Sequence, residues 1–440
     1  MTADKYEWDH LVQEDRIHRR VYAESDIFAL EMERIYGGTW VYIAHETEVP
    51  QPGDFKLGKL GLRPVIVTRD AASDIHVMFN RCAHRGATVC RETSGNASVF
   101  TCPYHGWKFR NNGASLAVPG KDAYANAADK DAYALARPAK VECYRGFIFA
   151  TMNPQAPSLL EHLGPAAKAL DEWLDQGDPE GIRVHNSAQH FRVACNWKFI
   201  YDNAGDGYHV PFSHRSLLQM TAARYGGGDM EYFGQADHSA MRSYALGNGH
   251  TLIDQRKELY KVNAWDQQRP QPGREAFERT APEGADSRER IDYLEKAIGS
   301  GMNLSIFPNL LLIGNQIQVI EPVDVGTTVL RWYATSLASG SEELNAIRMR
   351  TQEDFPVMGE VDDNVNFEAC HFGVATVPED EWIDMSRHAD TPVHVDPETG
   401  VQDGPVTSDL HMRAYFGQWK KLMAAPAQLM AVKEVRCAKR

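Results

Sequence analysis

The sequence predicts an α+β chain: an N-terminal antiparallel β domain, then a larger domain whose mostly antiparallel sheet packs against helices. Three observations carry this. From Thr39 to about Asn153 the chain breaks into short runs rich in Val, Ile and Phe, such as PVIVTRD, IHVMFN and GFIFATM, separated by turn residues such as Asn112-Gly113. Pro154 to Pro157 then mark a boundary. Beyond it, helical texture in LLEHLGPAAKALDEWLDQ gives way to strand-like alternation in LSIFPNLLLIGNQIQVIEPV and TVLRWYATSL.

Taken in order, residues 1–38 form a charged, periodic segment in which Ile27, Leu30, Met32 and Ile35 predict a helix, expected to pack on the second domain. The β domain spans 39–154 and the second domain 155–440. Within the latter, FRVACNWKF reads as a strand and YDNAGDGYHV as a helix. Residues 224–300 are rich in Gly, Pro and charge, with little periodicity until a helix near 287–298; poorly patterned stretches of this length in enzymes are often functional loops. Helices are expected at about 341–372 and 407–424.

Composition narrows the function classes. The chain has 440 residues, 43% hydrophobic and 24% charged, with a net charge of −14 and a pI near 5.7. An acidic surface argues against nucleic acid or an anionic membrane as partner, because phosphate binding needs a basic one. No apolar run approaches the roughly 18 residues of a membrane helix, and none opens the sequence, so a cytoplasmic protein is expected. The seven cysteines are scattered and odd in number, unlike a disulfide framework.

Two of those cysteines stand beside histidines. Cys82 and His84 lie in FNRCAHRGA, and Cys102 and His105 in FTCPYHGWKF, each pair next to a glycine that lets backbone approach closely. Thiolate and imidazole both suit soft or borderline metals. The residues alone leave two readings: a structural zinc site and a [2Fe–2S] cluster with two cysteines on one iron and two histidines on the other. The wider words, CxHRG followed by CPYHGW, closely resemble the Rieske family. That resemblance covers residues 39–153. It implies that Cys82 and Cys102 bind one iron, that His84 and His105 bind the other, and that Trp107 packs over the cluster.

A second group lies in NWKFIYDNAGDGYHVPFSH, which holds Asp202, Asn203, Asp206, His209 and His214. Residues three apart share a helix face, so Asp206 can orient the ring of His209. His209 and His214 are badly spaced for one ideal helix, and Pro211 is expected to distort it so that the rings converge. Two imidazoles and a carboxylate make the facial triad of non-haem Fe(II) oxygenases. The carboxylate is Asp362 or Asp363 of GEVDDNVNFEACH, and local physics does not choose between them. Here too the words resemble a family, the large subunits of ring-hydroxylating oxygenases, whose motif runs E-N-(x)-x-D-x-Y-H-x4-H. The resemblance implies His209, His214 and Asp363 as iron ligands, Asp206 as an electron bridge, and Asn203 as a further catalytic position. Asp202 departs from the usual glutamate.

The resemblance extends to the closing RAYFGQWKKLM and is nearest to large subunits acting on benzoate, toluate, anthranilate or salicylate. It implies O2 as co-substrate, an aromatic substrate, and a homotrimer of large subunits, α3 or α3β3 with a small β subunit. Arene cis-dihydroxylation is the expected reaction, with ring monohydroxylation or demethylation on the same iron as the alternative. No GxGxxG follows a predicted strand and no ferredoxin-like cysteine run is present, so electrons are expected from a separate NAD(P)H reductase, a ferredoxin, or both. Arg192, Arg215 and Arg224 are candidates for gripping a substrate carboxylate, and His250 of GNGHTLID for lining a pocket.

Overall fold

Turn chemistry and alternation build the β domain. In the computed structural model, which describes residues 6–124, 132–175, 180–216, 240–257, 301–425 and isolated positions between 219 and 290, the chain divides into two units. One comprises Met32–Leu159; the other joins Met1–Glu31 to Leu160–Ala425. In the first unit, strands Ile75–Phe79, Arg63–Arg69, Asp54–Leu60 and Ser94–Asn96 form one antiparallel sheet in that order. Two three-stranded sheets accompany it. In one of these, Lys140–Tyr144 pairs with Phe147–Thr151 through a two-residue turn, Arg145 (φ 46°) and Gly146 (φ 90°). Two successive positive φ values are those of a type I′ turn, whose twist matches the strands it joins. Phe147–Thr151 is buried throughout, hence its unbroken apolar reading.

The second unit is organised by a nine-stranded antiparallel sheet. It runs from Ile182–Val193 through Thr327–Leu337, Gln316–Asp324, Leu310–Ile313, Met302–Ile306, Thr251–Asp254, Arg242–Ala245 and Gln402–Pro405 to His394–Val395. The helices that bear on function are Trp197–Ala204, Glu342–Met358, Glu360–Thr376 and Leu410–Ala424. The N-terminal helix Ser25–Arg34 supplies their anchor. Glu31, fully buried, accepts hydrogen bonds from Trp197 Nε1 (2.9 Å), Lys198 Nζ (2.6 Å) and Trp419 Nε1 (2.7 Å). One carboxylate thus ties three helices together. Arg16–His18 also pairs with Trp382–Asp384, so the N-terminal segment is stitched into this unit twice.

Two expectations need correction. FRVACNWKF is not one strand: the strand ends at Val193, and Asn196 caps a helix by accepting from the Lys198 amide. An N-cap asparagine satisfies a first-turn donor, so it outweighs the β texture of the preceding residues. YDNAGDGYHV is not one helix either. The helix ends at Ala204, and a separate turn, Val210–Ser213, starts after His209, with Pro211 in its first turn. The break therefore comes at Gly205, before Pro211, because glycine is a poor helix former and readily ends one. The helix expected near 287–298 lies largely outside the described residues.

Candidate functional site

The first group sits on two loops of the β unit with matching backbones. Cys82 N donates to Ala87 O (2.8 Å) and Gly86 N to Cys82 O (3.0 Å); Cys102 N donates to Trp107 O (2.7 Å) and Gly106 N to Cys102 O (3.0 Å). Gly86 (φ 76°) and Gly106 (φ 70°) both take the left-handed conformation that closes such a loop. Both cysteines are buried in the core with Phe55, Phe100 and Phe109, while His84 and His105 are half-buried. His84 Nδ1 lies 3.1 Å from His105 Nδ1, so each ring presents the same nitrogen to a shared point. Trp107 is buried and stacks on His84, 4.7 Å between centroids and 5° apart in plane. Burial pushes the Cys82 thiol up; the His84 amide opposes this, the Cys102 sulfur reinforces it, and the Arg85 amide opposes it again. Amides aimed at a sulfur favour its thiolate.

The second group is built by three short pieces. The helix Trp197–Ala204 delivers the turn 205–209, Val210–Ser213 sets His214 at its end, and the helix Glu360–Thr376 brings Asp363 across. His209 Nε2 and His214 Nε2 stand 3.6 and 3.4 Å from the same Asp363 Oδ1. Their donor atoms all lie within 4.8 Å of one another. The opposite nitrogens face carboxylates: His209 Nδ1 is 3.3 Å from Asp206 Oδ2, and His214 Nδ1 is 3.5 Å from Asp362 Oδ2. Asp363 thus faces both Nε2 atoms, whereas Asp362 faces the far side of one ring. Asn366 Nδ2 bonds Ser213 Oγ at 3.1 Å and links the helix to the His214 turn.

Electrostatics follow this geometry. Burial alone would raise the Asp206 carboxyl, but the hydrogen bond and charge of His209, with His411 and the Tyr208 amide, bring it below its ordinary value. Asp206 Oδ1 accepts from that amide at 2.6 Å. Burial alone would lower His214, yet Asp363 and then Asp362 raise it. Asp202 points elsewhere: its carboxyl accepts from Tyr22 at 2.7 Å, and burial raises it well above the usual range. Asn203 is half-buried at the helix end, where its carbonyl accepts from the amides of Gly205 and Asp206.

His250 is fully buried, with Nε2 on His162 O (2.9 Å) and Nδ1 accepting from Phe307 N (3.0 Å). Arg192 and Arg215 are exposed, and Arg224 lies outside the described residues. Two neighbours carried no motif. Tyr124 OH reaches His84 Nε2 at 3.4 Å. His411 packs on Gly205 beside Asp206. Both are remote in sequence from the motifs they touch, so periodicity and spacing hold no signal for them.

Both donor sets fit metal groups. The buried Asp363 Oδ1 has no hydrogen-bond partner among the described residues, although two imidazole nitrogens face it, which is the arrangement a cation completes. Two buried thiols and two converging imidazoles on twin loops suit an iron–sulfur cluster with mixed ligation. Fold and sites together define an iron oxygenase with a separate electron-accepting domain.

Comparison with known proteins agrees. Residues 39–144 match the Rieske [2Fe-2S] domain, and residues 180–419 match the ring hydroxylating alpha subunit (catalytic domain). The chain belongs to the family of ring-hydroxylating alpha subunits, the large subunits of Rieske-type dioxygenases. It is 33% identical to the 2-halobenzoate 1,2-dioxygenase large subunit of Burkholderia cepacia, over 85% of this chain and 80% of that protein. It is 32% identical to the toluate 1,2-dioxygenase subunit alpha of Pseudomonas putida, over 92% and 88%. These represent the benzoate-type group that the motifs resemble. A 38% match to the N,N-dimethyl phenylurea N-demethylase subunit alpha of a Sphingobium strain covers 54% of this chain and 50% of that protein. A naphthalene 1,2-dioxygenase mutant bound to phenanthrene shares the fold, with TM-score 0.77 and 24% identity over 94% of each chain. The chain therefore has a Rieske [2Fe–2S] domain and the catalytic domain of the mononuclear-iron oxygenases, enzymes that use O2. Among the described residues no helix is long and apolar enough to cross a membrane.

Proposed function

We propose that this large subunit dihydroxylates the ring of an aromatic carboxylic acid with O2 and electrons from a separate NAD(P)H reductase, a ferredoxin, or both. The observation that carries the iron chemistry is the convergence of His209 Nε2 and His214 Nε2 on Asp363 Oδ1. In this reading those three residues hold the mononuclear iron. Cys82 with Cys102, and His84 with His105, hold the cluster. When bound, the cluster supplies single electrons and the iron supplies open positions for O2. Asp206 fixes the His209 ring through Nδ1 and leaves its Nε2 for metal. Asp362 does the same for His214. Asn203, in the last turn of the same helix, is a further catalytic position in this reading. The substrate class rests on the relatives that act on aromatic acids.

The subunit works in a ring of three, α3 or α3β3 with a small β subunit. His105 of one copy then lies next to Asp206 of its neighbour, giving electrons a short path. Exposure supports this reading. Tyr104, next to His105, is 60% exposed; Phe212 and Val365, near the iron-site residues, are 65% and 63% exposed. Large apolar side chains left bare beside a site suit an interface. The half-length match to an N-demethylase favours oxidative N-demethylation as the second reading.

A single turnover tests both. The protein is reduced without oxygen, mixed with a panel of aromatic acids and N-methylated aryl ureas, and exposed to O2. Gain of two oxygens and two hydrogens by an acid is the expected result. Loss of a methyl group from a urea, with every acid unchanged, moves the assignment to demethylation; one added oxygen moves it to ring monohydroxylation.

A further inference from the structure

Asp206 stands between two glycines, and each is a glycine for a steric reason. A Cβ on Gly205 would meet His411 Cδ2 at 2.8 Å and its Cβ and Cγ at 2.9 Å. A Cβ on Gly207 would meet Val406 Cγ2 at 2.6 Å and its carbonyl oxygen at 2.7 Å. The segment 405–411 is therefore pressed against the backbone on both sides of Asp206. Tyr208 completes the grip, because the Arg387 guanidinium lies 3.8 Å from its ring centroid. Arg387 is itself held to this segment: its amide donates to Asp409 Oδ2 and its Nε to Thr407 O, each at 2.9 Å.

His411 belongs to this segment and opens the helix Leu410–Ala424. It is 2% exposed and pairs Nδ1 with the Ser408 carbonyl at 3.1 Å. A carbonyl only accepts, so Nδ1 carries a proton. The charges acting on the ring include Asp206 and Asp409.

We propose that His411 is a positioning residue for Asp206. Its ring, wedged against Gly205 and tied to Ser408, holds the 205–208 turn so that Asp206 Oδ2 keeps its 3.3 Å approach to His209 Nδ1. The inference rests on the reading of Asp206 as the electron link. Misplacement of a reacting group by about 1 Å can cost on the order of a hundredfold in rate.

The test uses holoenzymes of His411→Asn, which keeps a donor for the Ser408 carbonyl but removes the rest of the ring, and Gly205→Ala, which pushes the ring away. Asp206→Asn tests the underlying link. Iron and sulfide content, hydrogen exchange of the 202–209 peptide, KM, and reoxidation of the reduced cluster with O2 and the acid that turns over are measured. Both positioning variants are expected to retain both metal groups and KM, to exchange at least tenfold faster at this turn, and to reoxidise roughly ten- to a hundredfold more slowly. Wild-type reoxidation or unchanged exchange in His411→Asn, with Asp206→Asn slow, overturns the positioning role. Loss of the mononuclear iron from both variants also overturns it, by making the contact merely structural. Wild-type reoxidation in Asp206→Asn removes the link itself, and the positioning role with it.

Discussion

Replacing Glu31 by glutamine takes one charge out of a site that water does not reach. Glu31 and Lys198 side chains are both 0% exposed and 2.6 Å apart. Glu31 Oε1 receives Lys198 and Trp419, and Oε2 receives Trp197. A glutamine keeps the shape but offers only one acceptor oxygen. Lys198 loses its counter-charge, and one indole N–H loses its acceptor. Removing one partner of a buried ion pair costs about 3–5 kcal/mol. An orphaned neutral donor adds about 1–3 kcal/mol, so ~4–8 kcal/mol is expected in total. At roughly 2–4 °C per kcal/mol for domains of 150–250 residues, the melting temperature falls by about 8–32 °C. Lys198→Met is expected to cost about 3–5 kcal/mol by the same argument. The double variant has no unpaired charge and costs at least ~2 kcal/mol less than the sum. Urea unfolding of the holoenzymes, followed by tryptophan fluorescence, measures each value. A single-variant cost under about 1 kcal/mol, or strict additivity, refutes the reasoning. There is also a pH signature. Burial holds Lys198 below its ordinary value, with Glu31 offsetting only part of the effect. Without Glu31 the folded state holds the proton still less well, so the variant regains more stability than the wild type as pH rises toward the unfolded lysine value near 10.

Two further outcomes follow from the sites and the buried histidines. Asp363→Ala is expected to lose the mononuclear iron while keeping the visible spectrum of the cluster, whereas Asp362→Ala weakens iron binding about 10- to 100-fold; metal analysis after dialysis separates them, and equal losses would place both carboxylates on the metal. Burial lowers His45 and His250, one in each unit, to about 4. Their folded values lie below the unfolded value near 6.5, so the unfolded chain takes up protons first and stability falls between pH 6.5 and 4. At pH 5 each costs about 2 kcal/mol relative to pH 8. His250→Gln is expected to flatten the acid limb for its own unit; an unchanged limb in equilibrium unfolding would assign acid sensitivity to other groups.

Much of the molecule was legible because its chemistry is local. Cys82, His84, Cys102 and His105 lie on two loops whose words carry their glycines with them, and the loop backbones match. The alternation of the sheet strands and the apolar run of Phe147–Thr151 follow directly from which faces are buried. Where local signals competed, the reading failed. Asn196 caps a helix inside a strand-like stretch, and Gly205 ends a helix that the periodicity carried onward.

What the sequence determined by itself is the donor inventory and the order of the two units, since side-chain chemistry and short-range spacing are properties of contiguous residues. Local sequence left Asp362 and Asp363 open and the resemblance favoured Asp363; the tertiary structure shows it is Asp363 that faces both Nε2 atoms, because the helix rotation that aims one of two adjacent side chains is set by packing. The same holds for Glu31 joining three helices and for His411 pressing on Gly205. Contacts between residues hundreds of positions apart form only when the whole core closes, and no window of the chain contains both partners.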